Sequence, residues 1–325
     1  MKAAVYDAYG APDVLRIVDV GVPVPRDDEV LVRVHAATVG IVDSLARRGT
    51  PAYARAQFGL RRPRFPILGS NFAGEVESVG TSVTQLAAGD KVFGTMAPRF
   101  GAHVQYVCLS ERAAVAPMPV NATYAEAAAL VDATALYFLR DKARLRAGQT
   151  ILVNGASGSV GVAAVQLAKH FGATVTGVCS GKNADLVRRL GADAVVDYTG
   201  TDFVHRPETY DVIFDVAGVR SFLNCRSALN RGGAYVTTAP SLAIMIEAPW
   251  TSLFGARRAA VAFAGLRPAA DKRKDLLYTK DLAERSVLVA VIDSEYPLRR
   301  VADAHRRVDG GQKQGNVVLT MADED

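Results

Sequence analysis

The sequence predicts an α/β protein in which a β-rich domain precedes a doubly wound parallel sheet. Three observations predict it. Residues 1–118 carry short runs of alternating apolar and polar residues, such as "EVLVRVHA" (29–36), separated by turn signals. From about residue 122, helical and strand-like segments alternate, and strands such as "TILVNGA" (150–156) are almost continuously apolar, as strands buried on both faces are. At one of these strand-to-helix junctions stands "NGASGSVG" (154–161), with glycines at 155, 158 and 161.

In the β-rich part, strands are expected at "VLRIVDV" (14–20), 29–36, "FAGEVESVG" (72–80), "DKVFG" (90–94) and "AHVQYVCL" (102–109). Pro23, Pro25, Gly80 and Gly89-Asp90 separate them. "TYAEAAALVDATALYFLRDKA" (123–143) reads as a helix, with Glu126 in the capping-box position relative to Thr123. A helix over 159–171 stops at Gly172, and "TVTGVC" (174–179) is a strand. A helix over 183–190 stops at Gly191, followed by strands "AVVDY" (194–198) and "YDVIFDVA" (210–217). A helix at 220–230 is expected to end near Gly232-Gly233, before a strand "AYVTT" (234–238). "SVLVAVIDSEYPL" reads as strand and turn, 299–310 as an amphipathic helix and "GNVVLTM" (315–321) as a last strand. The expected domains are 1–120 and 121–284, with a tail, 285–325, that either extends the second sheet or returns to the first domain.

The chain has 325 residues, 50% of them hydrophobic, enough for two cores. Its N-terminus lacks a continuous apolar segment and carries early aspartates, unlike a signal or transit peptide. The longest apolar stretches are too short and too charged to span a bilayer. A soluble, cytoplasmic protein is expected. The formal charge of +5 is spread widely, apart from Arg55, Arg61, Arg62 and Arg64. No aromatic-interleaved module accompanies that cluster, so a solvated loop is favoured over a nucleic-acid patch. Cys108, Cys179 and Cys225 are far apart and form neither a disulfide framework nor a metal pair.

Ala156-Ser157-Gly158-Ser159-Val160-Gly161 gives A-x-G-x-x-G, a form of the dinucleotide fingerprint, between a strand and a helix. A small first residue makes the turn, Gly158 lets the backbone approach a pyrophosphate, and Gly161 lets helix pack on strand. The N–H groups and dipole of the helix start then face the anion. An NAD site places an acidic residue at the end of the second strand. Here that strand ends "Val178-Cys179-Ser180-Gly181-Lys182". Ser180 offers a hydrogen bond and Lys182 a positive charge, which favours NADP(H) over NAD(H); the alternative for Lys182 is a surface lysine in a turn.

These residues resemble the medium-chain dehydrogenase/reductases. The segment from "ILVNGASGSVG" to "GADAVVDY" is similar to their cofactor region, and "PILGSNFAGEVESVG", "AAGDKVFG" and "GNVVLTM" are similar to further landmarks. The likeness is to the zinc-free, zeta-crystallin-like quinone oxidoreductase branch. It implies a GroES-like catalytic domain, a Rossmann domain with the cofactor in the cleft between them, a tail that rejoins the catalytic domain, and a homodimer. It also implies roles for single residues. Ser180, Lys182 and Tyr198 match 2′-phosphate and adenosine-ribose contacts; Thr134, Val216-Ala217-Gly218 and Thr238-Ala239 match the nicotinamide surroundings; Asn316 matches the tail residue that reaches toward the cofactor.

Zinc-dependent relatives carry a cysteine where this chain has Gly40, and a histidine–glutamate pair within Gly69-Ser70-Asn71. His35 and His103 have no partner at ligand spacing, so no metal is expected. Without a Lewis acid, an acceptor with its own electron sink is favoured: a quinone or the β-carbon of an α,β-unsaturated carbonyl, reduced by hydride from NADPH. The substrate-side candidates are Gly40, Ile41, Tyr53 and Tyr137. Relatives carry asparagine at the Gly40 position, and Asp43 reads as a structural cap for "SLARRG". The apolar segment 241–266 either lines the pocket or forms a subunit contact. Two alternatives stand beside this one: a reductase of enoyl thioesters, and a weakly catalytic cofactor-binding protein with an RNA-binding or structural role.

Overall fold

In the computed structural model, which describes residues 1–205 and 209–321, contacts divide the chain into two units. One comprises Met1–Asp132 with the chain from Gly265 onward; the other is Ala133–Ala264. The expected boundaries at 120/121 and 284/285 therefore both fall inside the first unit. The helix Tyr124–Leu130 packs on the central strands of that unit, and the helix Ala269–Glu284 packs on its edge. The last four residues of the expected tail, 322–325, lie outside the described residues.

The first unit holds β1 (Lys2–Val5), β2 (Arg16–Asp19), β3 (Glu29–Val39), β4 (Asn71–Val79), β5 (Lys91–Thr95), β6 (Tyr106–Ser110) and β7 (Val115–Pro117). The second holds β8 (Thr150–Asn154), β9 (Thr174–Cys179), β10 (Ala194–Asp197), β11 (Tyr210–Asp215), β12 (Leu229–Thr237) and β13 (Arg258–Val261). The chain then returns to the first unit as β14 (Ile292–Pro297) and β15 (Asn316–Thr320). β1 and β2 form an antiparallel ribbon. The main sheet of this unit runs β14-β15-β3-β4-β5-β7, with β6 paired to β3. β3 is long because its apolar alternation continues through "AATV", and its last four residues are buried. β15 pairs antiparallel with that end of β3, so the tail rejoins the first unit.

The second sheet is parallel throughout, in the order β10-β9-β8-β11-β12-β13. This is the doubly wound order of a dinucleotide-binding fold, with its switch point between β8 and β11. Three expectations change. The helix expected over 123–143 is broken after Leu130 and resumes at Thr134, at the junction of the two units. The helix expected at 220–230 is only Phe222–Cys225, followed by a single 3-10 turn. Gly232 and Gly233, taken as its stop signal, lie inside β12. Gly232 adopts φ +86° and the register with β11 shifts there, so the pair forms a bulge rather than a cap. In "SVLVAVIDSEYPL" the strand comes last, beginning at Ile292. Among the described residues no helix is long and apolar enough to cross a membrane.

The helices Ile41–Arg48 and Val301–Asp309 of the first unit are tied by a buried polar cluster. Arg47 is fully buried. It donates to Asp309 and to the Gly10 carbonyl, each at 2.5 Å, and its Nε donates to His305 Nδ1 at 3.3 Å. Ser44 also donates to Asp309. Because Arg47 occupies Nδ1, neutral His305 carries its proton on Nε2. His103 donates from Nε2 to the Thr38 carbonyl at 3.0 Å, so its Nδ1 is an acceptor. The rings stand edge to face, 5.9 Å apart. Burial lowers the pKa of both histidines and raises that of Asp43.

Replacing Arg47 with alanine strands Asp309 and should cost about 3 kcal/mol in urea unfolding. A loss below about 1 kcal/mol would show that the ion pair is not structural. The histidines set a pH dependence. Their folded pKa values lie below the ordinary 6.5, so their contribution is full above that pH. As pH falls below 6.5 the unfolded chain binds protons that the folded chain refuses, and stability drops. Asp43 has the opposite sign, lending stability at low pH that is lost as pH rises through its raised value. Unfolding free energy should therefore decline from neutral pH toward about pH 5, with a shallower slope in His305→Gln. Equal slopes in the two proteins would refute the assignment.

Candidate functional site

The carboxyl ends of β8, β9, β11 and β12 converge around the glycine turn. Gly155 and Ala156 both donate their N–H to the Val178 carbonyl, at 3.1 and 3.0 Å, which fastens the turn to β9. Gly155 adopts φ +88°, and a Cβ there would meet Ala217 at 3.1 Å. Gly158 opens the helix Ser159–His170 without a side-chain cap. The two remaining glycines differ sharply. A Cβ on Gly161 would lie 2.0 Å from the Gly155 carbonyl oxygen, whereas a Cβ on Gly158 would meet only that oxygen, at 3.6 Å. Gly161 is thus required by the packing of helix on strand. Gly158 is not, and its open face is suited to an approaching group. Ser157, Ser159 and Val160 complete the turn and first helical residues.

After β9, Ser180, Gly181 and Lys182 form a short turn, with Lys182 exposed. Asn183 is buried and donates to Ser157 Oγ at 3.0 Å, which joins this turn to the glycine turn. Asp197, ending β10, accepts from Thr199 N and Oγ1 and from Gly181 N, and these bonds hold its pKa down. Tyr198 is exposed. Asp215 ends β11 fully buried. It accepts from Asn154 Nδ2 at 2.8 Å, Gly218 N at 3.0 Å, Arg220 N at 2.9 Å and the Tyr235 hydroxyl at 2.9 Å. Val216 and Ala217 donate to the Asn154 carbonyl, and Thr238 Oγ1 donates to that of Val216. Gly218, at φ +67°, lies where a Cβ would strike Ala239 at 2.4 Å. Asn154, Asn183, Asp197 and Asp215 escaped sequence reading. Each holds a loop rather than matching a motif, and only the strand-end position of Asp197 and Asp215 could have pointed to them.

Thr134 and Tyr137 bound a short helix that packs on Ser159–His170. Tyr137 meets Phe138 edge-on, with Lys142 5.2 Å from its ring centroid. The remaining candidates belong to the first unit. Gly40 caps the helix Ile41–Arg48; its N–H donates to Asp43 Oδ2 at 2.7 Å. Asp43 Oδ1 accepts from Gly69 N at 2.9 Å, so this carboxylate fastens two turns. Val317 pairs with Val39, which brings Asn316 and Gly40 to the same end of the β15–β3 pair. Asn316 Nδ2 donates to the Val291 carbonyl at 3.2 Å. Ile41 and Tyr53 are exposed. Of the segment 241–266, Leu242–Phe254 is a helix whose Leu242, Ile246, Trp250 and Leu253 are exposed, and Arg258–Val261 is edge strand β13. Cys179 and Cys225 are buried thiols, pushed up by burial to about 11 and about 12.

The two glycines make separable predictions. Gly161→Ala should destabilise the fold by about 3 kcal/mol, because the colliding atom is backbone. Gly158→Ala should change stability by no more than about 0.5 kcal/mol. Thermal unfolding of both variants checks this, and a reversed order would contradict the geometry.

Residues 26–134 match the family described as alcohol dehydrogenase GroES-like domain, and residues 190–319 the family described as zinc-binding dehydrogenase. A chloroplastic quinone-oxidoreductase homolog of Spinacia oleracea is 32% identical, over 98% of both chains. The chloroplastic NADPH-dependent alkenal/one oxidoreductase of Arabidopsis thaliana is 32% identical over 98% of this chain and 79% of its own. The quinone oxidoreductase structure from Coxiella burnetii superimposes with a TM-score of 0.87 at 27% identity, covering 99% of each chain. The residues here do not fit the zinc of the second family description. Among the described residues no group of three or more His, Cys, Asp or Glu side chains is placed to hold a metal ion. At Gly69 a side chain would begin 2.3 Å from the His103 ring. On these matches and this fold, the chain belongs to the medium-chain dehydrogenase/reductase superfamily, in its zeta-crystallin-like quinone oxidoreductase branch.

Proposed function

We propose that this protein is an NADPH-dependent reductase of small quinones or α,β-unsaturated carbonyl compounds. The observation that carries the reading is the glycine turn: closed at Gly161, open at Gly158, and set at the switch point of a parallel sheet. Bound NADPH supplies the hydride. The protein's part is binding, orientation and electrostatics. The start of the helix Ser159–His170, where Gly158 brings no side-chain cap, suits a pyrophosphate through its backbone N–H groups and dipole. Ser180 and Lys182, on a turn braced by Asn183 and Asp197, suit a 2′-phosphate. Tyr198 is placed beside that turn, its N–H donating to the Cys179 carbonyl. The turns at Val216-Ala217-Gly218 and Thr238-Ala239 are held by Asp215 and Thr237, so their backbone groups are preorganised for the nicotinamide half, with Thr134 of the same unit as a further contact.

The acceptor classes follow from the donor set. No metal-ligand cluster stands among the described residues to polarise a simple carbonyl, while a quinone or enone carries its own electron sink. Gly40, Ile41, Tyr53 and Tyr137 are the substrate-side candidates. At Gly40 a side chain would meet only Asp43, at 3.5 Å, so glycine here leaves room on the surface of the turn. The likeness to the spinach quinone-oxidoreductase homolog and to the Arabidopsis alkenal/one oxidoreductase supports both acceptor classes. The exposed apolar face of Leu242–Phe254 supports a subunit contact, and with it a homodimer.

NADPH consumption against a panel of quinones, 2-alkenals and enoyl thioesters tests the reading; no turnover with any of them would sink it. Lys182→Ala should weaken NADPH binding about tenfold and NADH binding less than about twofold, read by cofactor fluorescence. Equal losses for the two cofactors would remove Lys182 from the 2′-phosphate site. At equal concentration NADPH should also raise the melting temperature more than NADH, by mass action.

A further inference from the structure

The first unit contains a cavity of about 550 Å³ lined by Asp7, Ala8, Tyr9, Arg55, Arg61 and Arg62. Nothing in the cofactor reading uses it. Its volume is in the range of small-molecule sites, and it is open to solvent, with Asp7, Ala8, Arg61 and Arg62 of its lining exposed. Its charge is uneven. Asp7 is the one carboxylate in the lining, and Arg16 already engages it at 2.8 Å. Arg55 donates to the Gly49 carbonyl at 3.0 Å and lies 4.8 Å from the Tyr9 ring centroid. Arg61 and Arg62 are exposed and have no hydrogen-bond or ion-pair partner among the described residues.

The loop that carries these arginines is nonetheless firmly built. Tyr9 donates its hydroxyl proton to the Gly59 carbonyl at 2.5 Å. Gly59 adopts φ +120°, and a Cβ there would lie 2.0 Å from the Arg62 carbonyl oxygen, so the chain folds over itself at a position open to glycine alone. Arg64 N donates to the Phe58 carbonyl at 2.6 Å. Phe58 and Phe65, flanking the arginines, both meet Phe100 edge-on, at 5.9 and 5.7 Å. The backbone thus holds three arginines around a concavity whose one carboxylate, Asp7, lies within electrostatic reach of Arg62 but is ion-paired to Arg16. A bound anion would relieve the repulsion among the arginines, and guanidinium groups match phosphate oxygens in geometry.

We propose that this pocket binds the phosphate groups of a small phosphorylated compound, at a site distinct from the glycine turn. Arg61 and Arg62 grip the phosphate oxygens, with Arg55 fixed on Tyr9 as the third positive wall. Three guanidinium groups about one concavity suit a single phosphorylated group better than a nucleic-acid strand, which needs a charged track along its backbone. Two sources share this chemistry: a free phosphorylated metabolite, and the nucleotide end of a coenzyme A thioester.

Calorimetric titration with inorganic pyrophosphate, with the protein saturated in NADPH and repeated without it, tests the proposal. Arg61→Ala/Arg62→Ala should weaken pyrophosphate at least about tenfold, and Arg61→Lys/Arg62→Lys by less, because lysine keeps the charge but loses the fork. Lys182→Ala should leave pyrophosphate affinity in the NADPH-saturated protein unchanged, which separates this pocket from the cofactor turn. Added salt should weaken binding. In a second arm, coenzyme A binding more tightly than pyrophosphate assigns the carrier thioester, and equal affinity assigns a free phosphorylated compound. Equal pyrophosphate affinity in wild type and the alanine pair, or loss on Lys182→Ala instead, would overturn the proposal. So would binding of an RNA oligonucleotide with none of pyrophosphate.

Discussion

The space beside residue 161 is already taken by a carbonyl oxygen. Any side chain there would begin 2.0 Å from the oxygen of Gly155, and that single exclusion lets the helix Ser159–His170 start directly against the end of β8. Everything at this end of the sheet follows from the closeness. The turn fits between β9 and β11, donating to Val178 on one side and touching Ala217 on the other. The helix begins after Gly158 without a side-chain cap. Where packing demands glycine the structure is closed; where it does not, at Gly158, the surface is open. Packing demands glycine at 161 and leaves the next glycine of the motif back along the chain, Gly158, unconstrained.

Around that turn the loops are held by carboxylates and amides that do not themselves face outward. Asp215 is the hub, accepting from two backbone N–H groups, an amide and a phenol while fully buried. A buried carboxylate is tolerable only with such a complement of donors. The consequence is positional: the backbone of 216–218 is set by the sheet, not by its own side chains. Asn183 does the same for the turn that carries Lys182. In the first unit Asp43 holds both Gly40 and Gly69, and Arg47 binds the returning helix through Asp309 and His305. The two units use the same device: charge is buried where loops must be fixed, and surface charge is left on the loops so fixed.

The arginine loop at 55–64 and the helix Leu242–Phe254 depart from ordinary surface economy in opposite ways. One gathers three arginines around a concavity, and the other exposes leucine, isoleucine and tryptophan to solvent. Neither arrangement improves the stability of an isolated chain.

By itself the sequence determined most of the strands, though not β1, β7 or β13, together with the alternation of strand and helix and the glycine turn. These are local properties: apolar period, the absence of a Cβ, and a strand read directly before a helix. The turn from Ala156 to Gly161, and the turn after β9 at Ser180 and Lys182, are legible for that reason. Tertiary structure alone decided the rest. The break after Leu130 has no glycine or proline to announce it; it arises because the chain passes from one packed unit to the other. Gly232-Gly233 became a bulge rather than a helix stop because β12 had a neighbour to stay in register with. The pairing of β15 with β3, the convergence of Asn316 with Gly40, and the loop-holding roles of Asp215 and Asn183 join residues far apart in sequence. No periodicity encodes such meetings, because their energy comes from partners that only the folded chain brings within reach.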